Sequence, residues 1–391
     1  MKIAFDLRRK TGFGVGTYIR NVMRTLARVD APGGSGPGNS YVLIGTPDRL
    51  REFRGLPENF ILQAAPTPSS TWKTSLAFRK LLQSHQCDLL HIPHMFKTPR
   101  VAHCPYVVTV HDVLDFIERR PQQAPWQRRL RLEMARYALA RSSAIMAVSH
   151  STKSDLLRLF GGALSPEKIH VAHNALDERL SGGHSTPEER QFIAERYQVT
   201  YPFLLYAGDI KPHKNVVKLI EAFSALKAEL KKEDKLADLK LIIIGNEISS
   251  HPHLRRTMIK SGVQNDIRFL GFVPIETLRT FYDVAKVFVF PSLYEGFGLP
   301  PLEAMAQGTP VVTSNTSSLP EVVGNAAVLV NPENVFEIMH GIKRALLDQQ
   351  LRETLKQRGY AQAARFSWET SVRSTLAVYG GVGAKSGQSA R

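Results

Sequence analysis

The feature that most constrains this chain is a pattern that runs through it twice: short β-branched runs separated by amphipathic stretches of helix length. In the first half the runs lie at 2–6, 41–45, 89–92, 106–110, 144–148 and 168–172; they restart at 203–207, 239–244, 267–269, 287–290, 310–313 and 327–330. Apolar runs without alternation suit strands covered on both faces, and parallel strands need crossover segments, usually helices, between them. The spacing therefore predicts an α/β protein of two doubly wound, Rossmann-like domains. A length of 391 residues agrees, since one domain usually takes about 150.

Punctuation sets the expected boundaries. The first domain covers 1–180, and the polar stretch Ser181-Gly182-Gly183-His184-Ser185-Thr186-Pro187-Glu188-Glu189-Arg190, whose Pro and Glu pair could open a helix, begins a linker region over 181–200. The second domain covers 201–365. Phe366-Ser367-Trp368-Glu369 opens a last helix over 366–380, and the Gly- and Ser-bearing end at 381–391 predicts a disordered tail. Residues 31–40, with four Gly and two Pro, read as a surface loop.

The apolar fraction of 43% and charged fraction of 22% belong to a folded globular protein rather than a disordered one. Cys87 and Cys104 are the only cysteines, which excludes a disulfide framework and a cysteine-built zinc site. The opening residues lack the apolar run of a signal peptide, and no stretch reaches the ~20 apolar residues of a membrane span. The expected location is cytoplasmic, with peripheral residence on the inner face of the plasma membrane also open. The net charge is +16, most of it in the first half, where residues 1–180 carry 26 Lys and Arg against 14 Asp and Glu. Such a field attracts nucleic acid, anionic lipid and phosphate-bearing substrates alike. No nucleic-acid module is recognisable, so nucleic acid is not an expected partner. The segment 125–137, with Trp126, Leu130 and Tyr137 among arginines, reads as a helix. Its composition suits docking on an anionic membrane surface and suits equally a solvated cationic face over a core stripe.

Four motifs carry chemistry. Glu295-Gly296-Phe297-Gly298-Leu299-Pro300-Pro301-Leu302-Glu303 follows the run 287–290 and places two carboxylates around a glycine turn. Glycines admit close backbone approach, and the helix expected at 300–307 directs unpaired N–H groups at a phosphate. Glu303, about one turn in, is placed to accept hydrogen bonds from a ribose diol. The second motif is Tyr206-Ala207-Gly208-Asp209-Ile210-Lys211-Pro212-His213-Lys214-Asn215, a strand end and turn with two cations. The third, Val108-Thr109-Val110-His111-Asp112, puts a polar pair at a strand's carboxyl end, the usual ligand address in open α/β sheets. The fourth, Thr11-Gly12-Phe13-Gly14-Val15-Gly16-Thr17, is a glycine turn before a helix starting near Gly14, but its spacing is not that of a dinucleotide fingerprint.

Together these motifs resemble glycosyltransferase family 4, and the resemblance runs from Gly12 to about Tyr379. It implies the GT-B architecture, two Rossmann-like domains facing a central cleft, with a nucleotide-diphosphate sugar as donor and a saccharide or lipid-linked acceptor. Glu303 would then hold the ribose and Glu295 lie beside the donor sugar, with the backbone of Gly296, Phe297, Gly298 and Leu299 facing sugar and diphosphate. Lys214, and with it Lys211, would neutralise the diphosphate, so that neither a metal nor another cofactor is expected. His111 would contact the sugar, and Asp112 would orient it or meet the acceptor. Gly14 and Gly16 would approach the donor phosphates, Ser149 would serve the acceptor side or cap a helix, and the last helix would cross back to the first domain. Two positions depart from the family pattern: Asp209 stands where many relatives have Arg, and Ala175 where they often have Gly. The resemblance also implies retention of configuration, and mannose from GDP-mannose is the first expectation, ahead of UDP-glucose and UDP-N-acetylglucosamine. The rival readings are a same-fold epimerase or phosphorylase, and a non-catalytic basic protein binding membrane or nucleic acid.

Overall fold

The computed structural model describes residues 1–8, 13–66, 72–95, 103–118, 124–180, 183–232 and 236–388. The chain divides into two compact units: residues 1–175 together with the chain from Ser367 onward, and Leu176–Phe366.

The first unit is built on strands β1 (Lys2–Asp6), β2 (Ser40–Gly45), β3 (Phe60–Ala64), β4 (Leu89–Ile92), β5 (Tyr106–Val110), β6 (Ala144–Ala147) and β7 (Ile169–Val171). They form one parallel sheet in the order β3-β2-β1-β4-β5-β6-β7. The second unit carries β8 (Phe203–Ala207), β9 (Lys240–Ile244), β10 (Ile267–Gly271), β11 (Val287–Phe290), β12 (Val311–Ser314) and β13 (Ala327–Val330), again all parallel, in the order β10-β9-β8-β11-β12-β13. Each order reverses beside the first strand of its unit, and at such a switch point the connecting loops part and leave a crevice at the carboxyl ends. The runs that read most clearly in the sequence are the central strands: β5, β8, β11 and β12 are buried along their whole length. The sequence reading misses β3, an edge strand whose Phe-Ile-Leu-Gln-Ala is buried only at Phe60 and so lacks a continuous apolar run.

Much of the expected linker is structure. Residues 187–196 form the helix Pro187–Arg196, whose start is fixed by a capping box between Thr186 and Glu189. Asp283 gathers the segment before it, accepting from Ser185 N at 3.0 Å and Arg190 at 3.0 Å, and pairing with His184 at 2.6 Å. Upstream, Leu180 is fully buried and its carbonyl accepts from Gln307. These contacts make the segment part of the second unit, so the break falls earlier than the expected linker.

The last helix, Trp368–Gln388, belongs to the first unit and continues past Gly380, where it was expected to end. It continues because Leu376, Tyr379 and Val382 present one buried face; residues 389–391 lie outside the described residues. A buried polar chain ties it to the sheet. The Tyr379 hydroxyl meets His91 Nδ1, His91 Nε2 is 2.7 Å from the Thr109 hydroxyl, and Thr109 is 3.0 Å from the Tyr18 hydroxyl. Burial pushes the His91 pKa down to about 3, so the ring is neutral, with one nitrogen donating and the other accepting. The loop at 31–40 is organised by buried Asp30, which accepts from Gly38 N at 2.6 Å and Asn39 Nδ2 at 2.9 Å. Among the described residues no helix is long and apolar enough to cross a membrane.

Candidate functional site

In the second unit the carboxyl ends of β8 and β11 bring the two strongest motifs together. After β11 the chain runs through Pro291 to Gly298 and enters the helix Leu299–Ala306, one residue earlier than the sequence suggests. Gly298 caps it in the left-handed region at φ 113°, and a Cβ there would stand 2.9 Å from Leu319 Cδ2, so only glycine fits. Two serines hold the loop: Ser317 Oγ accepts from Glu295 N at 2.9 Å, and buried Ser318 lies 2.9 Å from Glu295 O and 2.7 Å from Phe297 O. The Phe297 ring is core, packed edge-on against Phe366 at 5.5 Å, so its side chain does not face a ligand. Gly296 and Gly298 are buried as well, while Leu299 is partly exposed as the first helical residue.

Lys214 closes the 3₁₀ turn Pro212–Lys214 after β8, and its Nζ lies 2.6 Å from Glu295 Oε1, with both side chains mostly buried. The ammonium is also 5.3 Å from the centre of the Phe290 ring. The turn is clasped to its neighbours by Asn215, left-handed at φ 60°, which donates to Pro291 O at 3.0 Å and Pro332 O at 2.7 Å. Leu293 N donates to His213 O at 2.7 Å from the opposite loop. Burial, then the Lys214 charge, pushes the His213 pKa down to about 4, so that ring is neutral. Lys211 is more exposed and pairs with Asp209 at 3.2 Å rather than with Glu295. Gly245, after β9, packs so tightly on this turn that a Cβ would be 2.1 Å from Gly208 O.

Glu303 lies one turn into its helix, where the fully buried Tyr282 donates its hydroxyl to Oε2 at 2.8 Å. Burial raises the Glu303 pKa to about 7, against the lowering effect of that bond and with nearby Asp177 adding to it. Sequence reasoning missed Tyr282, Asn215, Ser317 and Ser318. Their work is to fix other residues, which no spacing reveals, although Asn215 stands inside a motif already singled out.

In the first unit, His111 follows β5 with Nε2 2.9 Å from Pro93 O and its ring edge-on to Tyr18 at 4.8 Å. Burial, then His94, holds its pKa down at about 3. A carbonyl only accepts, so the proton of this neutral ring is on Nε2 and Nδ1 keeps its lone pair. Asp112 Oδ1 accepts from Leu114 N at 3.0 Å, a turn that opens the short helix Leu114–Ile117. For Ser149 the structure shows the capping role, one of its two sequence readings. It is completely buried, accepts from Thr152 N at 2.9 Å and caps the helix His150–Phe160. Gly14 and Gly16 lie in the first turn of the helix Phe13–Val29, which starts where the sequence suggests; Gly14 is exposed and Gly16 buried. Thr11 and Gly12 of that motif lie outside the described residues. Just before it, Asp6 and Arg8 form a two-pronged pair with both bonds at 2.8 Å, a feature the sequence reading did not single out.

Comparison with known proteins gives these motifs their setting. Residues 187–362 match the family described as glycosyl transferases group 1, and residues 14–180 match Glycosyltransferase Family 4. The O-antigen chain mannosyltransferase B of Escherichia coli is 33% identical over 304 residues, which are 76% of this chain and 75% of that one. The serotype-specific mannosyltransferase WbdA of Escherichia coli is 32% identical over 240 residues, 61% of this chain but only 29% of WbdA. Among solved structures, Alr3699/HepE of Anabaena, in complex with UDP and glucose, superposes with a TM-score of 0.75 at 17% identity, covering 97% of this chain and 100% of that one. Similarity of this extent to the mannosyltransferase B, with family matches in both halves, settles the family: this chain is a mannosyltransferase-like member of the glycosyl transferases group 1, glycosyltransferase family 4, with the GT-B fold.

Proposed function

We propose that the chain transfers a hexose, mannose in the first place, from a nucleotide-diphosphate sugar to a saccharide or lipid-linked acceptor. The reaction retains anomeric configuration, needs no metal, and serves polysaccharide or glycolipid assembly in the cytoplasm at the inner face of the plasma membrane. The single observation that carries this reading is Glu303, a mostly buried carboxylate held by Tyr282 on the helix that follows the glycine turn. A carboxylate kept out of water with one protein donor has accepting capacity left for a ribose diol. The relatives named for mannosyl transfer favour mannose as the sugar.

In this reading the donor diphosphate sits against Lys214, with Lys211 as a second, more exposed cation. Their positive charge stabilises the leaving group as the anomeric carbon–oxygen bond breaks. The acceptor oxygen attacks from the same face, and its proton passes to the departing phosphate oxygen. Glu295 and the Nδ1 lone pair of His111 position sugar hydroxyls, and neither needs to change protonation. A trapped glycosyl adduct on Glu295 would instead establish a double displacement.

The test is a melting-temperature panel with GDP-mannose, UDP-glucose, UDP-N-acetylglucosamine and ADP-glucose, because a ligand that binds only the folded chain raises the midpoint. GDP-mannose should give the largest rise, and Glu303→Ala should abolish it. Turnover in EDTA and the product's anomeric configuration by NMR then check the remaining parts. If no nucleotide sugar shifts the midpoint and Glu303→Ala changes nothing, the reading fails; a donor epimerised at C2 without transfer would favour the same-fold epimerase.

A further inference from the structure

The helix Pro125–Arg141 of the first unit turns its large apolar side chains outward. Trp126 is 65% exposed, Leu130 53%, Met134 47% and Tyr137 59%. Their spacings of four, four and three residues place them in one stripe along the helix. The opposite side makes the attachment: Ala138 and Leu139 are buried, Arg128 donates to Phe116 O at 3.0 Å, and Arg131 donates to Asp115 O at 2.5 Å and lies 5.8 Å from the Phe116 ring. Arg129, Arg136 and Arg141 are exposed beside the stripe, and the Arg141 guanidinium sits 5.4 Å from the Tyr137 ring. Glu133 is the one carboxylate on that face. Residues 119–141 contain seven Arg, one Glu and no Asp or Lys, a net charge of +6.

A soluble face does not ordinarily line up Trp, Leu, Met and Tyr in water, since such patches mark interaction sites. The two ordinary partners of an apolar stripe are another protein and a bilayer. Flanking arginines with almost no counter-charge disfavour a second copy of this chain, whose matching helix would bring the same charges together. They favour an anionic lipid surface, where an aromatic and aliphatic ridge enters the boundary between headgroups and acyl chains while arginines stay with the phosphates.

We propose that the exposed face of Pro125–Arg141 is a docking surface for an anionic phospholipid bilayer, with Trp126, Leu130, Met134 and Tyr137 entering the interface and Arg129, Arg136 and Arg141 holding headgroups. The proposal rests on the membrane-side location given above and names the surface responsible; it does not depend on the chemistry of the donor site. Interfacial residence requires no spanning helix, which agrees with the absence of one among the described residues. It also gives the sequence's ambiguous helix a definite orientation: the core stripe is not the one containing Trp126.

The experiment is co-sedimentation of the full chain with vesicles of phosphatidylcholine alone and with 40% phosphatidylglycerol, at low and high salt, beside Trp fluorescence. The expected result is binding to the anionic vesicles with a blue shift in emission, weakened by salt and absent from the neutral vesicles. Leu130→Ser with Tyr137→Ser should lower partitioning at least tenfold, and each of Arg129→Gln and Arg136→Gln roughly fivefold. Melting temperature and nucleotide-sugar binding should stay unchanged, since these side chains face water. Failure to bind anionic vesicles, or binding unaltered by the serine pair, overturns the proposal. So does a concentration-dependent dimer that the serine pair abolishes, because the face is then a contact between copies. Loss of vesicle binding with nucleotide-sugar binding retained counts against the docking face alone, whereas vesicle binding without any nucleotide-sugar binding counts against the transferase reading alone.

Discussion

Glu303 has its ionised form disfavoured by burial, and that is a property of the residue that pH can reach. Its pKa of about 7 lies above the ordinary 4.5, so between these values the folded chain holds the proton more tightly than the unfolded one. The stabilising contribution is complete below 4.5 and disappears as pH rises through 7. Glu303→Gln keeps the shape and removes the charge. The ligand-free protein should therefore gain about 2 kcal/mol at pH 8 and almost nothing at pH 5, read from thermal melts. In the wild type, nucleotide-sugar affinity should fall as pH drops from 8 to 6, approaching tenfold per unit below 7, because in the proposed binding mode the ionised Glu303 carboxylate accepts from the ribose diol. Calorimetric titration of Glu303→Gln should show weaker binding with that slope gone. Lys214 and Glu295 form a different kind of pair, mutually satisfied at 2.6 Å and mostly out of water. Lys214→Ala leaves a carboxylate stranded and should cost about 3 kcal/mol by denaturant titration, with turnover down roughly a hundredfold or more. Adding Glu295→Gln should restore most of the stability and none of the turnover. Glu295, Glu303 and Lys214 were legible as residues in the sequence, but the bond between Lys214 and Glu295 was not, since 81 positions separate them.

At the scale of the element, the glycine turn is the part with least tolerance. Gly298 combines a left-handed φ of 113° with the 2.9 Å approach to Leu319, so Gly298→Ala should lower stability by about 2 kcal/mol. Leu319→Ala should relieve the steric part and leave the conformational part, and melts of the double variant separate the two. The central strands and this helix were readable because total burial and turn chemistry act locally on the sequence. Edge strand β3 was not, and the helix Pro187–Arg196, although its Pro187 and Glu188 signal a start, could not be given its place. The first has only one buried residue, and the second gains its place from Asp283, nearly a hundred positions away.

At the scale of the molecule, the chain's two units are not two consecutive lengths of sequence, since Trp368–Gln388 completes the first. Residues 1–175 alone would lose the Tyr379 partner of His91 and the Trp368 contact with Tyr18, 5.9 Å between rings. That fragment should fail to show a cooperative melt, whereas the same residues joined by a short linker to 367–388 should show one. Fragment 176–366 should fold without either, as it contains its whole sheet. Sequence alone determined the two-domain α/β class and the family, and singled out the candidate donor-side residues, because strand burial, glycine turns and carboxylate spacing are local patterns. Only the tertiary structure decided between the two readings of Ser149, seated Lys214 on Glu295, lifted Glu303 toward neutrality by burial and turned Trp126 to water. Each of these depends on which distant side chains exclude solvent or supply a hydrogen bond, and that is fixed only when the elements pack.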